Sequence, residues 1–139
     1  MSKLPKILLI LTLPLISFVQ AQSLTPSPEG AEAYIISPKN GDKVNENITV
    51  KFGLKNMGVA PAGINKKSTG HHHLLIDGNT LPAFDKPMGK GVMHFGGGQT
   101  EIKIKLSEGE HTLQLILGDH RHIPHNPSVV SERITIYVK

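Results

Sequence analysis

The sequence predicts an all-β chain: a single immunoglobulin-like β-sandwich of about seven strands, preceded by a signal peptide. Three observations carry that expectation. Apolar residues recur at every second position in several separate segments, Gly, Pro, Asn and Asp cluster between those segments, and no dozen consecutive residues keep helical spacing.

The first 21 residues stand apart from the rest. Lys3 and Lys6 precede an apolar run from Ile7 to Val19 that Pro14 interrupts, which is the layout of a secretory leader. Cleavage after Ala21 would leave Val19 and Ala21 at the third and first positions before the cut. The apolar run, about 13 residues, falls short of the roughly 20 that a bilayer-spanning helix needs. The expected location is therefore periplasmic or secreted, with no transmembrane segment once the leader is gone. The chain has no cysteine, so neither a lipid-modified amino terminus nor a disulfide is available, and packing alone must hold the fold. Removal of the leader leaves about 118 of the 139 residues, the size of one domain, and the formal charge of +4 falls by two as Lys3 and Lys6 depart. Residues 22–30 are polar and contain Pro26 and Pro28; they read as a flexible tether, with the sandwich at 31–139.

Within the domain, Ala33 to Ile36 forms the first apolar run, closed by the turn residues Pro38 to Asp42. Ile48, Val50, Phe52 and Leu54 then alternate with polar or small residues and should face a core. Leu74 to Ile76 is a short run that follows three histidines. Ile102, Ile104 and Leu106 alternate with outward Glu101, Lys103 and Lys105, and such lysines discourage edge-to-edge association. Leu113, Leu115 and Leu117 form an inward set after the turn at Gly109, and Ile134, Ile136 and Val138 close the pattern. Two connections, 56–70 and 78–99, are longer than a sandwich requires, and long loops are where function tends to reside.

Several chemistries are excluded by what is missing. There is no clustered basic face, and only Tyr34, Phe52, Phe84, Phe95 and Tyr137 follow the leader as aromatics, so nucleic acid is not an expected partner. Neither Gly89-Lys90-Gly91 nor Gly96-Gly97-Gly98 continues into the Lys-Ser or Lys-Thr of a phosphate loop. No nucleophile elbow and no His-Glu-x-x-His helix is present, and the chain is expected not to be an enzyme.

All eight histidines lie between positions 71 and 125. In His71-His72-His73, strand alternation puts His72 on the face of Leu74 and Ile76, pointing inward. His71 and His73 then share the other face, outward or at the sheet rim, with Cα atoms about 6.5 to 7 Å apart. Two imidazoles at that spacing can converge on one ion. Further ligands would come from His94, in the glycine-rich loop, and from His120, His122 and His125. Imidazoles suit zinc or copper(II), whereas the thioethers of Met57, Met88 and Met93 would favour copper(I). The expected cofactor is thus a copper or zinc ion, and Asp77 and Asp119 are candidates to orient the ligating rings. The alternative is an envelope interaction or adaptor module in which the histidines form a structural hydrogen-bond network. His111 stands apart: its phase, with Leu113 and Leu115, makes it a satisfied histidine at the core edge.

An ordered set of motifs resembles the exported bacterial family grouped as domain of unknown function 4399. These are Ala33-Tyr34-Ile35-Ile36-Ser37-Pro38, Met57-Gly58-Val59-Ala60-Pro61-Ala62-Gly63, Thr69-Gly70-His71-His72-His73-Leu74-Leu75-Ile76-Asp77, His94-Phe95-Gly96-Gly97-Gly98 and Leu117-Gly118-Asp119 with His122-x-Pro124-His125. The resemblance implies no activity. It does imply a shared site at the triple histidine, His94, His122 and His125.

Overall fold

The computed structural model describes residues 23–139, so the expected leader and its cleavage position lie outside the described residues. Nine strands follow in chain order: β1 (Glu32–Ser37), β2 (Lys43–Val44), β3 (Asn47–Lys55), β4 (Gly58–Val59), β5 (Thr69–Ile76), β6 (Met93–His94), β7 (Glu101–Lys105), β8 (Gly109–Gly118) and β9 (Ile134–Val138). They form two sheets, one ordered β1-β3-β7 and the other β2-β9-β8-β5-β4, with β6 added to β5. Most pairs are antiparallel; β2 on β9 and β4 on β5 are parallel. Consecutive long strands are shared between the sheets, which is the immunoglobulin-like sandwich the alternation predicted. Among the described residues no helix is long and apolar enough to cross a membrane.

Of the six longer strands, β3, β7, β8 and β9 carry the alternating segments and β1 and β5 the two short apolar runs. Ile48 lies opposite Ile104 and Val50 opposite Ile102 in one sheet, while Leu74 lies opposite Leu115 and Leu113 opposite Ile134 in the other. Their inward faces meet in a core in which Val50, Leu74, Leu113, Leu115, Leu117 and Ile136 are fully buried. Full burial of one such side chain contributes about 1.5 to 3 kcal/mol. The two-residue strands β2, β4 and β6 are too short to carry a periodic signal.

The β5-β8 pair departs from simple alternation. Both faces of β5 are covered: Leu74 belongs to the core between the sheets, and Leu75 packs with Met88 and Ile116 in a second apolar cluster on the opposite face. Leu81 and Val92, from the 78–92 loop, and Val130 close over that cluster. A strand buried on both sides needs no polar stripe, which explains the continuous runs Leu74-Leu75-Ile76 and Leu115-Ile116-Leu117.

Of the expected flexible tether, 22–30, residues 23–27 are docked against residues 119–127. Asn126 N–H donates to the Thr25 carbonyl at 2.9 Å and Ser27 N–H to the Asn126 carbonyl at 3.3 Å, while the Thr25 hydroxyl donates to Asp119 at 2.6 Å. The segment lacks periodicity because polar hydrogen bonds, not apolar burial, hold it in place.

Candidate metal centre

The pleat of β5 places His71 and His73 on one face and His72 on the other. His72 enters the core, 5.2 Å from the Phe52 ring, as its phase predicted. His71 and His73 lie on the outer face of the sheet, but they are not at an open rim: their exposures are 0% and 1%. The correction has a plain cause, because the loop before β6 and the segment after β8 cover this face, and strand alternation reports only a side, not what lies above it.

His94 lies directly opposite His73 in the β5-β6 pair. His122 arrives from the turn that follows β8. The four rings of His71, His73, His94 and His122 are mutual neighbours, with all six centroid separations between 4.6 and 6.1 Å. One nitrogen from each lies within 4.8 Å of those of the other three. Tetrahedral zinc-nitrogen bonds of 2.0 to 2.1 Å would bring such donors to about 3.3 Å apart, so modest ring movements would close the set. The pair His71 Nε2 and His122 Nδ1 is already at 3.1 Å.

Close approach of backbone makes room for these rings. A Cβ on Gly118, opposite His71 across the ladder, would come within 2.7 Å of the His73 Cε1 and 2.9 Å of the Met88 methyl. A Cβ on Gly96 would collide with the His94 ring. Neither glycine was singled out as part of the site from sequence.

Burial dictates the protonation state. Desolvation, followed by the neighbouring rings of His122 and His94, pushes His71 down to about 4. Desolvation, then His71, His94 and His122, pushes His73 down to about 3. His94 is lowered too, by desolvation and then by His122. These three imidazoles are therefore neutral at pH 7, the form that carries a free lone pair for a metal. The Nδ1 atoms of His71 and His73 are buried without a hydrogen-bond partner in the protein.

The remaining expected ligands lie elsewhere. His120 is turned away from the cluster into a shallow surface depression with Ser23, Thr25, Asn65 and Arg121, and its carbonyl accepts from Gly63 N–H at 2.9 Å. His125 is buried but donates from Nε2 to the Thr69 carbonyl at 3.1 Å, bracing the start of β5. Nearness to His122 in sequence does not bring them to the cluster, because a turn sends neighbouring side chains in different directions. Of the methionines, Met57 packs on the main core, Met93 is exposed, and Met88 belongs to the second apolar cluster beside the site. Asp77 orients a histidine, but it is His111: its Oδ2 accepts from His111 Nδ1 at 2.7 Å, and His111 Nε2 donates to the Ser107 carbonyl at 2.9 Å. With a partner at each nitrogen, His111 is a satisfied brace at the core edge. Asp119 is buried, and its charge acts on His71, opposing the fall in that ring's pKa.

Comparison with known proteins adds three findings. Residues 50–139 match the family model described as Domain of unknown function (DUF4399). No match is found among curated proteins. Among solved structures, the fibronectin(III)-like modules of Clostridium thermocellum CbhA align at 16% identity over 76% of this chain and 92% of theirs, with a TM-score of 0.35.

Proposed function

Since the chain belongs to the DUF4399 family, whose description assigns no activity, we propose from the site's own geometry that it is an exported, periplasmic protein that binds one zinc or copper ion through His71, His73, His94 and His122. The observation that carries this reading is convergence: three separate segments each bring imidazoles to one place, with a nitrogen from all four within 4.8 Å of the others. Imidazoles without a thiolate or carboxylate in the set suit zinc and copper(II) rather than magnesium or calcium.

The role is binding without catalysis. Catalytic zinc sites keep one coordination position for water or substrate, whereas here four protein imidazoles would fill a tetrahedral set. An adaptor role with purely bracing histidines draws its support from His111 and His125, which do donate to backbone carbonyls. The four clustered rings instead face one another. Calorimetric titration of the purified protein with zinc and with copper(II) is the direct test. Binding well below millimolar that disappears in the His71→Ala/His73→Ala variant is the expected result; no binding of either ion would remove the proposal.

A further inference from the structure

The turn that carries His122 is held by an arrangement that a solvent-exposed turn does not need. His122 has φ of +66°, in the left-handed region that costs a non-glycine residue roughly 1 to 2 kcal/mol. Asp119, only 1% exposed, supplies the surrounding restraint. Its Oδ1 accepts from Arg121 N–H at 2.8 Å and from Ile123 N–H at 3.0 Å, the amides of the two residues that flank His122. Its carbonyl accepts from His122 N–H at 2.9 Å, and its own N–H donates to the Ile123 carbonyl at 2.8 Å. The carboxylate is thereby wrapped by the loop, and the His122 ring is directed at His71, with 3.1 Å between His122 Nδ1 and His71 Nε2.

The other carboxylate oxygen is fixed from far away in the chain. Asp119 Oδ2 accepts from the Thr25 hydroxyl at 2.6 Å and from Arg121, whose nitrogens lie at 3.0 and 3.3 Å. Arg121 also donates to the Ser23 carbonyl at 3.1 Å, and the Thr25 carbonyl holds Asn126 N–H. A carboxylate held at both oxygens restrains the backbone on either side of His122, the residue that carries the ring. On the far side of the turn, Met88 N–H donates to the His122 carbonyl at 2.8 Å.

We propose that Asp119 and Thr25 are positioning residues that fix His122 as a metal ligand, with the 23–27 segment acting as a clasp on the site. This rests on the metal-binding reading above. It also assigns a part in the site to a residue outside the 50–139 span of the family match.

The test compares Thr25→Val, which keeps shape and removes the donor, with Thr25→Ser, which keeps the donor, using copper(II) as the probe. Outer partners of metal ligands change affinity by about 10- to 100-fold when mutated, and a loss of that size is expected for T25V, with recovery in T25S. The copper(II) paramagnetic resonance spectrum of T25V should move toward that of His122→Ala. In the metal-free protein, amide exchange at Arg121 and Ile123 should quicken in T25V. Wild-type affinity and spectrum in T25V, or unchanged exchange at those two amides, would overturn the positioning role while leaving the metal reading intact. Failure of the wild-type protein to bind copper(II) would instead overturn the ligand role of His122 together with that reading.

Discussion

The two ends of β5 hold histidines in opposite circumstances. At its beginning, His71 and His73 sit among other imidazoles under a covering loop, and burial drives their proton affinity down to about 4 and about 3. Just beyond its other end, Asp77 grips His111, and that hydrogen bond, against a smaller opposing effect of burial, raises the His111 value above 6.5. One residue type thus yields a set of neutral electron-pair donors in one place and, in another, a brace whose hold on its proton is strengthened. What decides between them is burial set against a carboxylate: at His71 and His73 desolvation dominates and the neighbouring rings add to it, whereas at His111 the hydrogen bond to Asp77 outweighs burial.

The sharpest way to break this contrast is to remove ligands at the first end. His71→Ala/His73→Ala should lose more affinity for copper(II) or zinc than the about 10- to 100-fold that an outer partner costs, whereas His111→Ala should bind as wild type does. Equal losses in both variants, measured by chelator competition, would erase the distinction.

Metal should also stabilise the fold in proportion to binding. At a free ion concentration of 100 times the dissociation constant the gain is about 2.7 kcal/mol, which for a domain of this size is a rise in melting temperature of roughly 10 °C. Scanning calorimetry with and without zinc checks it; the rise should vanish in the double variant.

Acid separates the two ends by sign. Unfolded imidazoles take up protons near 6.5, but folded His71 and His72 resist until about 4 and His73 until about 3. Between those values the unfolded chain holds more protons, so this contribution to stability is complete above about 6.5 and is lost as pH falls through the window. His111 behaves in reverse: its contribution is present below 6.5 and fades as pH rises through its raised value. Denaturant midpoints of the metal-free protein across pH 4 to 8 should drop steeply on the acid side, and Asp77→Asn should lose the His111 contribution while keeping that drop.

Smaller effects should mark the braces. His125→Ala leaves the Thr69 carbonyl without its buried donor and should destabilise the fold by about 1 to 3 kcal/mol, with metal affinity within a factor of a few of wild type. His120→Ala, outside the cluster, should change stability by less than about 0.5 kcal/mol and leave metal affinity unaltered. A large affinity loss on His120→Ala would mean that the donor set had been drawn in the wrong place.

The sequence by itself determined the sandwich, because a side chain that must leave water every second residue can be satisfied only by a strand with one buried face. Ile48 to Leu54, Leu113 to Leu117 and Ile134 to Val138 all lie where their alternation put them. It also determined that His71 and His73 share a face and that His72 does not, since that follows from the pleat alone. Tertiary structure decided the rest. Which of His94, His120, His122 and His125 would join the pair depended on pairing between β5 and β6 and on a left-handed residue in a turn, neither of which leaves a periodic trace. That the outer face is buried depended on the 78–92 loop folding back across it, and the hold of Thr25 on Asp119 spans 94 positions. Local spacing fixes the direction in which a side chain leaves the backbone; what it meets there is set by segments that are remote in the chain and adjacent only once it has folded.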